Sequence, residues 1–435
     1  MLAHFFPPVG GGSAQRNLGL VRVLRELGWE SVVVTGPGQA EDYWAPQDRS
    51  LLASVPADLG VTRVQGPEPP ASQGLRRRVE RLLDLEPEWY RWWMRGALEA
   101  GRTMCGRCDL VYASLEPYES AWVAATLAEE FGVPWVAELL DPWALDEMRF
   151  HVTGVHRRRD LGRMRRWLRS ADAVIMNTGE ARRRAYAELP ELRPALVEPI
   201  PVGYDPAPFE LPAQKRDDSA FRIVHTGYLH TEAGLRHQRT QRLRRAAGGL
   251  YAPINLLARS HFYLLRAIDR VIQRDPGLAT LLELHLAGVP TAADRELARR
   301  SPVTRLHGYV SHEQSVDLLR GGDLLFLPMY DVAARARAGL VPAKTYEYLA
   351  ARRPILAAVP PGDARDLLVE AGNARLVAPT DDAAMAELIA ADIRRWRAGT
   401  PPDEPDPDVV SRYTHRAVAT RLAGVFANVL AARST

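Results

Sequence analysis

Lysine is almost missing from this 435-residue chain. Of its 56 basic residues only Lys215 and Lys344 are lysines, leaving 56 − 2 = 54 arginines. A lysine at position 344 therefore breaks a strong arginine habit, which favours a site wanting a compact ammonium. Cysteine is nearly absent too. The pair Cys105-x-x-Cys108 has no second pair to complete a four-ligand zinc site, and it precedes a strand rather than opening a helix as a redox motif would. Two loop thiols are expected. No apolar run approaches the length of a membrane span, and no secretory leader is recognisable, so a cytoplasmic protein is the expectation. Charge of one sign is lacking as well: 56 basic against 53 acidic residues give +3, which argues for no nucleic-acid partner.

With 46% hydrophobic and 25% charged residues, the chain can fill two or three ordinary domain cores. Valine- and leucine-rich runs alternate with helical patterns along its length. Leu2–Phe6, Ser31–Thr35, Asp109–Ala113, Pro134–Leu140, Asp172–Asn177 and Leu196–Val202 read as one set of parallel strands. A Pro/Gly-rich stretch, Pro199–Pro212, then reads as a linker. Phe221–His225, Leu282–Ala287, Val303–His307, Asp323–Leu327, Pro354–Val359 and Arg375–Ala378 form a second set. Two runs of strand–helix alternation imply two doubly wound domains with a cleft between their carboxyl edges. Residues 1–208, completed by a closing helix in 411–435, form the expected first domain, and 209–410 the second. The abrupt first strand raises the expectation that the true start lies upstream.

The segment Leu340–Val359 carries the richest chemistry. It reads as a loop, a helix with Pro342 in its first turn, and a buried strand. Lys344 and the helix N-terminus face a diphosphate, and Glu347 reaches past it to ribose hydroxyls. The plain alternative is a surface glutamate on a core helix. Arg259, expected in the first turn of another helix, can grip phosphate in a bidentate way.

Gly10-Gly11-Gly12 follows the first strand and lets backbone N–H groups approach phosphate. A dinucleotide-binding oxidoreductase is disfavoured, because Gln15 replaces the third glycine and no acid ends the second strand. Glu116, Asp141 and Trp143 follow strands on the same edge and are candidates for sugar or acceptor contacts, with Asp141 a candidate catalytic carboxylate. The aromatic cluster Trp89, Tyr90, Trp92 and Trp93 reads as a packed helix face.

The helix at Val155–Arg169 has seven arginines from Arg157 to Arg169 against Asp160. Such a face is either solvated or seated on anionic lipid, which would make the protein peripheral to a membrane's inner face. The Gly227–Leu257 connection far exceeds a usual strand-to-helix loop and is read as a lid, an acceptor element or a solvated helical insertion. Asp406-Pro407-Asp408 offers a D-x-D pair, but a proline-rich linker is a poor metal site, so no metal is expected.

Leu139–Trp143 (LLDPW), Val202–Asp205 (VGYD), His285–Gly288 (HLAG), Leu306–Ser311 (LHGYVS) and Pro342–Leu356 (PAKTYEYLAARRPIL) together resemble the retaining GT-B glycosyltransferases of family four. The resemblance implies an α/β chain of two Rossmann-like domains facing across a cleft, the second binding a nucleotide-sugar and the first the acceptor. It implies transfer of a sugar to an acceptor hydroxyl with retention, without a metal or other cofactor, in surface polysaccharide, glycolipid or other glycoconjugate synthesis. The acceptor would be a sugar, a lipid-linked sugar or a small molecule. By position, Glu347 matches the ribose-binding glutamate, Arg259 a phosphate-binding lysine, Tyr309 and Val310 the base site, and Gly11 and Gly12 the glycines nearest the diphosphate. The chain departs from the pattern at Gly339, Tyr228 and Leu140. Rival readings are a nucleotide-sugar epimerase or phosphorylase on the same frame, and a non-catalytic binder of anionic surfaces.

Overall fold

The structure is a computed structural model that describes residues 1–38, 46–66, 69–70, 73–211, 216 and 218–433. Lys215 and parts of the Gly36–Gln73 and Pro199–Pro212 connections lie outside the described residues. The chain divides into two units. The first holds Met1–Gly203, Ala246–Tyr251 and the C-terminal stretch from His415; the second holds Tyr204–Arg245 and Ala252–Thr414.

In the first unit the strands are β1 (Val32–Thr35), β2 (Gly60–Arg63), β3 (Val111–Ser114), β4 (Trp135–Leu139) and β5 (Ala173–Met176). The helices are α1 (Gly12–Glu26), α2 (Gly74–Leu83), α3 (Glu88–Cys105), α4 (Ser120–Phe131), α5 (Gly154–Leu168) and α6 (Gly179–Glu188). The expected first strand shrinks to Leu2, which bridges Val34 on one side and Ala113 on the other. Pro7 and Pro8 lack the N–H groups needed to carry the ladder further. With that bridge in place the all-parallel order is β2-β1-Leu2-β3-β4-β5, with the order reversing between Leu2 and β3. The expected strand at Leu196–Val202 is likewise a single bridge, Leu196 to Val174, because Pro199 and Pro201 interrupt it.

Side-chain alternation splits the core across the sheet. Trp135, Ala137 and Leu139 of β4 pack with Trp93 of α3 and Leu127 of α4, while Val136 faces Leu20 and Leu24 of α1. The last helix, α16 (His415–Arg433), brings Val418, Leu422 and Phe426 to that second face. Each fully buried Leu or Phe contributes roughly 1.5–3 kcal/mol. Gly19 on α1 permits the approach, since a Cβ there would lie 2.1 Å from His415 Nδ1. Trp93 is fully buried with its indole N–H on Ser120 Oγ at 3.0 Å, so the aromatic cluster is a packed helix face.

The second unit repeats the plan. It contains α7 (Ala207–Glu210), β6 (Phe221–Thr226), α8 (Thr231–Ala246), β7 (Ile254–Asn255), α9 (Phe262–Arg274), β8 (Leu282–Ala287), α10 (Ala292–Arg299) and β9 (Thr304–Gly308). These are followed by α11 (His312–Arg320), β10 (Leu324–Pro328), β11 (Asp331–Val332), α12 (Lys344–Ala350), β12 (Ile355–Ala358), α13 (Asp363–Ala371), β13 (Ala374–Val377), α14 (Asp382–Arg397) and α15 (Pro407–Ser411). Its six-stranded parallel sheet runs β13-β12-β10-β6-β8-β9 and reverses between β6 and β10. The long Gly227–Leu257 connection is mostly α8, and the residues just after that helix belong to the first unit, where His151 N–H donates to Gly249 O at 2.9 Å and Gly154 N–H to Ala247 O at 2.7 Å.

Candidate functional site

In an open parallel sheet the loops at the strand-order reversal splay apart and leave a crevice at the carboxyl ends. In the second unit that place is the end of β6 beside β10. His225, the penultimate residue of β6, is fully buried, and its Nδ1–H donates to the Phe326 carbonyl of β10 at 2.9 Å. That bond leaves Nε2 as an acceptor, 3.3 Å from the Lys344 ammonium. Tyr348, one turn further along α12, puts its hydroxyl 3.2 Å from the same Nδ1 and accepts the Thr226 N–H at 3.0 Å.

Lys344 is pressed against the backbone turn that follows β6. Gly227 has φ +114°, and a Cβ there would lie 2.6 Å from the lysine Nζ, so only glycine leaves room. Burial, then the Arg259 guanidinium, brings the Lys344 pKa down to about 7, with Glu347 acting the other way. Burial and the charge of Lys344 hold the His225 pKa well below the ordinary imidazole value. His230 is held down in the same sense by burial, Arg259 and Lys344. The site is therefore a nest that sets Arg259 and Lys344 beside two neutral imidazoles, and a bound polyanion would favour the charged form of the lysine.

Two expectations about this nest need correcting. The sequence puts Pro342 in the first helical turn, but α12 begins at Lys344 with Ala343 at its cap, so Pro342 lies before the helix. At seven residues α12 is short, and the positive charge here belongs mainly to side chains. Arg259 was expected in the first turn of α9, yet that helix begins at Phe262 with His261 at its cap. Ser260 Oγ donates to the Leu257 carbonyl and accepts the Phe262 N–H, which holds Arg259 in the preceding loop. The Arg259 carbonyl accepts the His230 N–H at 2.9 Å, tying the two loops together.

Glu347 stands one turn into α12. Its carboxylate is 3.8 Å from His312 Nδ1, at the start of α11, and burial raises its pKa while His312 and Lys344 oppose the rise. The Tyr309–Val310 segment leads directly into α11, whose cap Ser311 accepts the Gln314 N–H. Tyr309 is 41% exposed. The fold thus gathers Lys344, Arg259 and Glu347 around the β6–β10 reversal, whereas Val310 lines a separate cavity and Tyr309 precedes it just past the end of β9. Sequence reasoning missed His225, His230 and His312. A histidine ending the apolar run FRIVH, two residues before a glycine, was the available clue.

A cavity of about 360 Å³ lies between α11 and the sheet, lined by residues including Arg216, Arg222, His285 and His307. Its arginines are engaged by Asp218, Asp323 and Glu283, and its lining includes none of Arg259, Lys344 or Glu347. The β6–β10 nest, which brings Arg259, Lys344 and Glu347 together at the strand-order reversal, is the stronger candidate.

In the first unit, the order reverses between Leu2 and β3, and two loops meet there. Gly11 takes φ +95° ahead of α1, and Gly12 opens that helix. Ser13 Oγ donates to Glu116 Oε2, which sits just past β3. Burial and nearby Asp141 raise the Glu116 pKa to about 7 against the Ser13 bond. Glu116 thus lies against the first turn of α1 through Ser13, with Asp141 close enough to act on its charge. Trp143 does not join them at the surface. It is 1% exposed, stacked on Tyr118 with centroids 4.7 Å apart, and its N–H donates to Asp160 at 3.2 Å. Its place is in the core rather than against a sugar. Beneath the site Arg16 is fully buried, paired with Glu138 and donating to the Pro201 and Val202 carbonyls.

Residues 11–203 match the family model described as glycosyl transferase 4-like domain, and residues 254–393 that of glycosyl transferases group 1. No curated protein sequence matches the chain. Among solved structures it resembles Anabaena HepE in complex with UDP and glucose, at 14% identity and TM-score 0.61 over 98% of each chain. It also resembles sucrose-phosphate synthase from Thermosynechococcus elongatus, at 15% identity and TM-score 0.62, covering 97% of this chain and 94% of that one. A putative UDP-N-acetylglucosamine 2-epimerase from Listeria monocytogenes follows at 14% identity and TM-score 0.55, covering 98% and 95%. At these identities the likeness speaks for the fold: two α/β units with parallel sheets, as in GT-B enzymes. With its two domain types in this order on that fold, the chain belongs to the glycosyltransferases.

Proposed function

We propose that this protein transfers a sugar, with retention of configuration, from a nucleoside-diphosphate sugar to an acceptor hydroxyl during synthesis of a polysaccharide, glycolipid or other glycoconjugate. The observation that carries the reading is the Lys344–His225–Arg259 nest beside Glu347 at the β6–β10 reversal. The donor's diphosphate would occupy the nest, and its ribose diol would donate to Glu347. Tyr309 and Val310 would border the base.

In the step itself, the bond from the anomeric carbon to the diphosphate oxygen breaks while the acceptor oxygen bonds to that carbon from the same face. The acceptor proton passes to a diphosphate oxygen. Lys344 and Arg259 stabilise the charge that grows on the leaving group, the kind of electrostatic assistance worth a few kcal/mol per donor. His225 is a positioning residue. Its bare Nε2 aims the ammonium, and Gly227 gives that ammonium room. Glu116 and Asp141 in the first unit are assigned to the acceptor.

A thermal-shift screen over UDP-, GDP-, ADP- and dTDP-sugars tests the donor class, since a ligand of the native state raises its melting temperature. Product analysis with and without an acceptor then separates transfer from epimerisation or phosphorolysis. A shift with none of these sugars would defeat the proposal, and so would conversion of the donor to its epimer without acceptor.

A further inference from the structure

The helix α2 is built like a surface helix turned inside out. None of its residues is buried. Leu75, Val79, Leu82 and Leu83 recur at the spacing of one helical face, and they are 76%, 42%, 63% and 58% exposed. Leu85, just past the helix, is 52% exposed. At 3.6 residues per turn these side chains make a stripe about 100° wide, the width that normally faces a core. Arg76 and Arg78 flank the stripe, and Arg77 and Arg81 lie opposite. Arg76 is paired with Glu80 at 3.1 Å and Glu88 at 3.0 Å, whereas Arg77, Arg78 and Arg81 make no ion pair among the described residues.

The helix is nevertheless held in place. His156 Nε2 donates to the Leu82 carbonyl at 3.0 Å, and Asp84 at the helix end accepts from Arg163 at 3.2 Å. Both partners belong to α5, so the two basic helices share one face of the first unit. Val155 at the start of α5 is itself 46% exposed, and Arg158 and Arg166 on that helix and Arg169 just past it make no ion pair among the described residues. Ten residues are too few for a stable helix in water on propensity alone, and this one has no core contact to add. Something should cover its stripe.

We propose that α2 is an interfacial helix that lays its leucine stripe into a bilayer bearing anionic phospholipid, with the arginines of α2 and α5 on the headgroups. Charge decides between this and a second copy of the chain. In a symmetric pair the flanking arginines of each α2 would face those of the other, whereas anionic headgroups answer them with the opposite sign. Apolar side chains at the centre with arginines at the rim is the arrangement that lets long cationic side chains reach headgroups while the stripe enters the acyl boundary. The inference stands apart from the donor chemistry and is tested without it.

Co-sedimentation of the full chain with phosphatidylcholine vesicles, with and without roughly 30% phosphatidylglycerol, reads the effect directly. The protein is expected to pellet with the anionic vesicles only, and less so as salt rises. Leu75→Ser combined with Leu82→Ser should reduce the bound-to-free ratio on the order of tenfold or more. Leu243→Ser, 75% exposed on α8, should leave binding unchanged. All the substituted side chains are exposed, so melting temperatures of the variants should match the parent. Three results would overturn the proposal: no pelleting with anionic vesicles, equal pelleting of the double variant, or a dimer in solution that the double variant dissolves.

Discussion

Lys344 is expected to make donor binding depend on pH in a direction opposite to the protein's own stability. Its pKa in the free site is about 7, against an ordinary lysine value of 10.5. At pH 9 only about one molecule in a hundred then carries the ammonium before ligand arrives. A diphosphate in the nest supplies the missing counter-charge and pulls the proton back on. Each pH unit above 7 should therefore weaken binding about tenfold, or roughly 1.4 kcal/mol, and pH changes just below 7 should matter little. Folding responds the other way. Between pH 7 and 10.5 the unfolded chain holds a proton on this lysine that the folded chain has lost, so unliganded stability gains from this group as pH rises through that window. Calorimetric titration with the nucleoside diphosphate giving the largest thermal shift, in two buffers of different ionisation enthalpy, counts the protons taken up. Near pH 8 the count should approach one, and Lys344→Met should abolish both slopes. An affinity constant from pH 7 to 9, or an unchanged slope in Lys344→Met, would refute the assignment.

Arg259→Ala should lower kcat on the order of 10²–10³-fold with a smaller change in donor KM, while Glu347→Ala should mainly raise KM; steady-state kinetics would expose a reversal of these roles. Gly227→Ala forces a Cβ to within 2.6 Å of Lys344 Nζ at φ +114°, so it should cost about 1–3 kcal/mol in a denaturant titration and reduce turnover by displacing the ammonium. Trp143→Ala should destabilise by about 3–5 kcal/mol with donor KM unchanged in the surviving native fraction, as fits a core residue. Glu116, with its pKa raised from 4.5 to about 7, carries a charge penalty that is absent below pH 4.5 and complete above pH 7. Glu116→Gln should therefore be about 1–3 kcal/mol more stable than the parent at pH 8 and no more stable at pH 4.5, by thermal or chemical denaturation.

The alternation of valine-rich runs with helical stretches made both doubly wound sheets legible, because a strand covered on two faces must be apolar throughout. What it could not supply was the ends of the elements. Leu2–Phe6 and Leu196–Val202 are apolar enough for strands, but the prolines inside or beside them withhold ladder donors, and each is reduced to one bridging residue, Leu2 and Leu196. The same limit displaced Arg259 and Pro342, whose helices start two or three residues later than periodicity suggests, because caps and loop hydrogen bonds fix a helix start. Trp143 followed a strand at the expected edge, yet an indole that can stack on Tyr118 and bond Asp160 gains more by burial. His225 was hidden for the opposite reason: inside an apolar run nothing distinguishes a core histidine from one that aims a lysine. Only the spatial neighbourhood of Phe326 and Lys344 does.

Both units use the same strand order and reverse it at the equivalent place, but the two reversals carry opposite chemistry. In the first, Glu116 and Asp141 stand by the glycine turn, and Glu116 is pushed toward neutrality by burial and then by Asp141. In the second, Lys344 is forced toward neutrality by burial and then by Arg259. A lone polyanion would relieve the second site and aggravate the first, whereas a group rich in hydroxyl donors would suit carboxylates. The shared topology offers an equivalent crevice in each unit, and the charge of the side chains gathered there distinguishes the two. That contrast is what supports the proposal of a diphosphate in the second unit and a hydroxyl-bearing acceptor in the first.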